Sequence, residues 1–161
     1  MNTNRLRSQQ GFTILELAVS VVILGFLAVT ALPLYLGYIP RAQAVEFFTM
    51  TEFERVRIYQ YIVKGQCTKD GQDRSYQGRY GVLTVSGSGA VKKGKTCRTG
   101  CTATYTFNST GVHGDLAGKV VVAEYLADGR FSKDAGATTA PQRYLPKLFE
   151  AIPVAAGEDC S

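Results

Sequence analysis

The chain has 161 residues and a formal net charge of +5 at neutral pH. That length suits one globular domain with an appendage, and the charge is well short of a nucleic-acid-binding composition. Four cysteines and one histidine do not make a zinc module, because no second close pair accompanies Cys97 and Cys101 and His113 stands alone.

Residues 1–11 are polar and carry Arg5, Arg7 and no acid. Residues 17–36 are almost wholly apolar. About 20 such residues span a hydrocarbon layer of about 30 Å. The basic start predicts a cytoplasmic N-terminus and an exported C-terminus. Glu16 lies at the mouth of the run, four residues after Phe12. A charge within a span costs roughly 2.5–3.5 kcal/mol at a helix centre, which marks Glu16 as a residue with a task. A secretory signal peptide is the competing reading, with Ala42-Gln43-Ala44 as its cleavage site. However, the run exceeds the roughly 7–15 residues of a signal h-region, and Pro40 and Arg41 separate it from that site. A plain anchor explains neither Glu16 nor the sharp border at Gly11.

Within the span, Gly25 and Pro33 weaken the helix, proline through its missing donor and its clash with the preceding turn. Residues 41–64 stay helical but become amphipathic. Val45, Thr49, Phe53, Val56 and Val63 form one stripe, and Phe47, Ile58, Tyr61 and Ile62 another. Two stripes predict two partners, the chain's own sheet and a neighbouring molecule; one broad core-facing side is the alternative. Arg41, Glu46, Glu52, Glu54, Arg55 and Arg57 are assigned to a solvated or intermolecular surface. Gly65 is the stop signal.

Residues 65–78 read as loop, 79–86 as an alternating strand, 87–89 as a turn and 92–100 as a basic loop. Residues 101–108 alternate again, and residues 118–126 are rich in valine. Asp128-Gly129 is a tight-turn dipeptide. The expectation is three or four antiparallel strands at meander spacing. Residues 132–161 lose periodicity, and Pro141, Pro146 and Pro153 predict an irregular region pinned by Cys160. Cys67, Cys97, Cys101 and Cys160 all follow the span, which predicts two disulfides in an oxidising compartment. The three possible pairings stay open.

The order of basic leader, Gly11, Phe12, Glu16 and long apolar run resembles the type IV pilin family. The resemblance is specific over about residues 8–43, includes Gly25, Pro33 and Arg41-Ala42-Gln43, and is architectural beyond. It implies the pilin fold, an α+β architecture in which a long N-terminal helix packs on a short antiparallel sheet with a disulfide-pinned C-terminal region. The divisions are a leader (1–11), a membrane and filament-core helix (12–40) and a globular head (41–161). The resemblance further implies cleavage between Gly11 and Phe12 by a prepilin peptidase and N-methylation of Phe12. The subunit would wait in the inner membrane until assembly machinery builds it into a homopolymeric surface filament. Glu16 would pair with the Phe12 amine of an adjacent subunit, and the helix would melt between Gly25 and Pro33. Such filaments serve twitching motility, adhesion and DNA uptake. A minor pilin, a type II secretion pseudopilin and a membrane-tethered binding module are the alternatives. Thr13-Ile14-Leu15 varies slightly on the family pattern, and four cysteines exceed the usual two.

No nucleophile–base pair or cofactor motif is found, so the chain reads as a structural protein. His113 sits in a glycine-flanked turn, and the aspartates occupy turn contexts. Lys92, Lys93, Lys95 and Arg98 could meet DNA phosphates, but no aromatic interleaves them, and a solvated loop is the simpler reading. Ser161, beside Cys160, is a candidate for O-glycosylation by resemblance.

Overall fold

The structure, a computed structural model, describes residues 11–89, 96–147 and 149–153, the side chain at position 34 excepted. The chain divides after Gly37 into two units.

Helix α1 runs over Ile14–Ile62. Thr13 caps it, its Oγ1 accepting the Glu16 N–H at 3.2 Å; Thr13-x-x-Glu16 is thus a capping-box sequence. In the first unit the helix continues across Gly25 and Pro33, and every residue whose burial is described is exposed. Ser20 donates to the Glu16 carbonyl at 2.7 Å and Thr30 to the Leu27 carbonyl at 3.0 Å. These hydroxyls are therefore satisfied inside their own helix, as a hydrocarbon environment demands.

In the second unit, the rest of α1 buries Gln43, Ala44, Phe47, Thr51, Glu54, Ile58 and Ile62. Their spacing of three and four is that of one helix face. Val45, Phe53, Val56 and Val63 are exposed. The two stripes expected from the sequence are thus two surfaces, one packed and one bare. Gly65, at φ +73°, ends the helix by donating to the Ile62 carbonyl at 2.9 Å, a backbone conformation that suits glycine.

Five strands follow: β1 (Arg74–Gln77), β2 (Gly81–Ser86), β3 (Arg98–Phe107), β4 (Val120–Leu126) and β5 (Phe131–Lys133). They pair antiparallel in sequence order. In β3, Cys101, Ala103, Tyr105 and Phe107 point into the core while Thr102, Thr104 and Thr106 alternate outward. The meander is as expected, but the described residues form five strands rather than three or four. Strand β1 lies inside the stretch read as loop. Its sequence, RSYQ, offers one apolar side chain, because an edge strand paired only with β2 needs no alternating apolar face. Strand β3 begins at Arg98, within the stretch read as basic loop.

Between Arg98 and Thr102, β3 spends four residues while β4 moves two, from Leu126 to Glu124. This bulge helps bring Cys101 into the core, where it is bonded to Cys67. Gly87 is pressed against it: a Cβ there would lie 2.0 Å from the Gly100 carbonyl oxygen. Only a residue without a side chain permits that approach.

The C-terminal region is irregular, as expected, apart from a 3-10 turn at Gln142–Tyr144. It covers the edge of β4 that the short β5 leaves open. Val120 and Val122 donate to the Thr139 and Thr138 hydroxyls at 2.8 and 3.1 Å, and Asp134 and Thr139 donate back to Val122 and Val120 carbonyls. The edge thereby loses its capacity to pair with another chain. Phe149 then packs edge-on against Phe47 and Phe48, at 5.5 and 5.0 Å between ring centres.

Candidate functional site

Gly11, Phe12 and Thr13 precede the helix in non-helical backbone. Phe12 is 83% exposed, and Ile14, Leu15, Leu17, Val21, Val22 and Leu24 are all open. Glu16 is the single acid of the first helical turn, where the N–H groups at the helix start favour negative charge. Gly25 and Pro33 lie farther along this uncovered half, both exposed. An almost wholly apolar surface of this length has no stable place in water. It can only be covered by lipid or by other protein.

The head shows how α1 is held to its sheet. The Glu46 carboxylate accepts the backbone N–H groups of Arg79 and Tyr80 at 2.5 and 2.7 Å and the Tyr105 hydroxyl at 2.5 Å. Glu54, 2% exposed, accepts from Tyr76 at 3.0 Å and pairs with Arg57 at 3.0 Å. These two acids are not part of a solvated surface, as the sequence had suggested. They are helix-to-sheet pins: Glu46 is half-buried with three donors on its carboxylate, and the buried Glu54 is tolerated because it is paired and hydrogen-bonded. Glu52 and Arg55 do form an exposed pair at 3.2 Å. Burial raises the Tyr105 hydroxyl well above the usual tyrosine range, helped by Glu46. Burial does the same for Tyr125, which donates to the Thr51 carbonyl at 3.0 Å.

Arg98 belongs to β3 and pairs with Glu124 at 2.6 Å; Lys92, Lys93 and Lys95 lie outside the described residues. His113 lies in irregular backbone between β3 and β4 and is half-buried. Its N–H donates to Gln43 at 2.8 Å, and its ring stands 6.0 Å from that of Tyr144. Ala44 is fully buried, and Ala42-Gln43-Ala44 lies within α1 in the folded head. Cys67 and Cys101 form one disulfide, and Cys97 is also disulfide-bonded. Cys160 and Ser161 lie outside the described residues. Among the described residues, no three His, Cys, Asp or Glu side chains gather to hold a metal.

The family model of the prokaryotic N-terminal methylation motif matches residues 6–32, and that of pilin (bacterial filament) matches residues 40–149. The chain belongs to the type IV pilin family. It is 32% identical over 159 residues to a fimbrial protein of Moraxella nonliquefaciens, covering 90% of this chain and 99% of the relative. It is 33% identical over 160 residues to the type IV major fimbrial protein FimA of Dichelobacter nodosus, covering 90% of this chain and 98% of the relative. The two matched models divide the pilin much as its structure does, into an uncovered apolar helix half and a head built on the rest of that helix.

Proposed function

We propose that this pilin is the repeating subunit of a type IV pilus, matured by a prepilin peptidase and stored in the inner membrane before assembly. The observation that carries the reading is the wholly exposed apolar half of α1 with a single acid, Glu16, near its start. Cleavage between Gly11 and Phe12 frees an amine, which is then methylated. Thr13 supports this step by starting the helix at Ile14, leaving the scissile bond in non-helical chain. In the fibre, Glu16 is enclosed by apolar helices and takes the Phe12 amine of an adjacent subunit as its partner, because an unpaired buried charge is heavily penalised. The helix loosens between Gly25 and Pro33 as subunits pack. The exposed stripe of Val45, Phe53, Val56 and Val63 meets neighbouring subunits. A second disulfide is expected to anchor the tail through Cys160. Twitching motility, adhesion and DNA uptake are the tasks such a fibre serves.

The deciding experiment is mass spectrometry of fibres sheared from cells. The expected subunit begins at Phe12, carries one extra methyl group and is the main component. A subunit beginning at Val45 would establish the signal-peptide reading instead. A soluble protein absent from any fibre would remove the filament reading altogether.

A further inference from the structure

An open recess of about 240 Å³ lies on the head between Arg41 and Val45 of α1 and Arg143, Tyr144, Leu145 and Lys147 of the C-terminal region. Three cations line it. Arg143 is engaged by Asp115 at 2.6 Å and lies over the Tyr144 ring at 4.7 Å. Among the described ion pairs, no carboxylate is bound to Arg41 or Lys147, and both residues are exposed. With Asp115 counted against Arg143, two positive charges without an ion-pair partner among the described residues remain beside Val45 and the buried Leu145. The recess is therefore cationic at its rim and apolar within.

Its place in the chain selects the ligand. Arg41 follows Leu36, the end of the apolar run, by only five residues in the chain, which makes it a juxtamembrane cation if that run is inserted. The polar zone of a bilayer extends roughly 5–8 Å beyond the hydrocarbon on each side. Tyr35 and Tyr38, both exposed, occupy the same stretch, where interfacial aromatic residues concentrate. We propose that in the membrane-inserted subunit this recess binds the headgroup of an anionic phospholipid. Arg41 and Lys147 meet the phosphate, and Val45, Tyr144 and Leu145 meet its glycerol and upper acyl carbons. The proposal rests on the membrane-stored subunit described above and adds a contact that holds the head to the bilayer surface until extraction.

The test uses the full chain reconstituted into vesicles of phosphatidylcholine with or without phosphatidylglycerol. Vesicle flotation is measured first. Retained lipid is then counted by native mass spectrometry after mild detergent extraction. The wild type is expected to retain phosphatidylglycerol preferentially. The Arg41→Gln/Lys147→Gln variant should lose at least about tenfold of that preference, since each interfacial cation contributes about fivefold. A Lys69→Gln/Arg74→Gln variant, altered near β1, should keep it. Floating wild-type protein with no lipid preference, or equal retention by the Arg41/Lys147 variant, would overturn the site alone. Displacement of the lipid by millimolar inorganic phosphate would overturn it in favour of a plain anion site. A wild-type chain that did not float would overturn the membrane-stored reading and this site with it.

Discussion

Residues 14–37 and residues 38–62 share one helix, yet their surfaces have opposite fates. The first stretch carries a single charge, Glu16, and every described residue of it is exposed. The second carries acids and bases throughout and buries a residue at every third or fourth position. It pins two of its three acids, Glu46 and Glu54, to the sheet side. The contrast shows where each half finds its partner. The head half is completed by this chain's own strands. Among the described residues nothing covers the apolar half, and in the proposed function that task falls to a membrane or to other subunits. A change in one half should therefore move assembly without stability, and a change in the other should move stability first.

The largest effect should come from Glu16. Glu16→Gln keeps a side chain that can serve at the third helical position of a capping box, and it removes the charge. Breaking a buried pair commonly costs about 3–5 kcal/mol per subunit, because the partner charge is left alone. Surface filament yield should fall to near zero while the membrane pool and head unfolding stay at wild-type values. Wild-type filament yield from both Glu16→Gln and Glu16→Ala would end the pairing mechanism.

Phe47→Ala probes the other half. Phe47 is fully buried and touches Phe48, Tyr105 and Phe149. Removing such a ring typically costs about 3–5 kcal/mol. Denaturant unfolding of the detergent-solubilised chain should show this loss directly, with insertion unaffected. An unchanged midpoint would contradict the packed face assigned to this half.

The Cys67–Cys101 bridge joins the loop after α1 to the bulge of β3 across a separation of 34 residues. Cys67→Ser/Cys101→Ser should lower head stability by about 2–4 kcal/mol. The double variant leaves the apolar half untouched, so its filament yield should follow the loss of folded head and nothing more. A thiol assay on unreduced wild-type protein provides the independent check, and free thiols at these positions would contradict the bridge.

The smallest effect concerns Asp115, which links the loop before β4 to the C-terminal region. The Tyr144 hydroxyl and the Arg143 guanidinium hold its carboxyl below the usual carboxylate range. A depressed folded-state value means the contact stabilises the head above the unfolded-state value. That contribution is lost as pH falls from about 3.9, the ordinary aspartate value, through the lower folded one. The stability gap between wild type and Asp115→Asn should therefore close over that acid interval and stay constant near neutrality. A gap independent of pH would show that the interaction does not depend on the charge.

Parts of the head were legible because they are local. The helix stop at Gly65, the turn before Arg130 and the alternation in β3 each follow from a few neighbouring residues. Glu54 was misjudged because a charged residue on a mixed-charge helix looks solvated until Tyr76, 22 positions away, is found to pack over it. Glu46 escaped for the same reason, since its acceptors are filled from Arg79, Tyr80 and Tyr105. The spacing of three and four among buried positions was a usable signal for Glu54, which lies between Thr51 and Ile58 on the buried face.

The sequence by itself determined the apolar half of α1 and its family resemblance. A helix in hydrocarbon must satisfy its polar groups within its own turns, so its length, apolar run and lone acid are all written consecutively. The tertiary structure alone decided how the head is closed. Strand β1, the core site of Cys101 and the covering of β4 by residues 134–140 depend on groups far apart in the chain. Their backbone donors and acceptors are satisfied by whichever segment the fold brings alongside, and no short stretch of sequence records that choice.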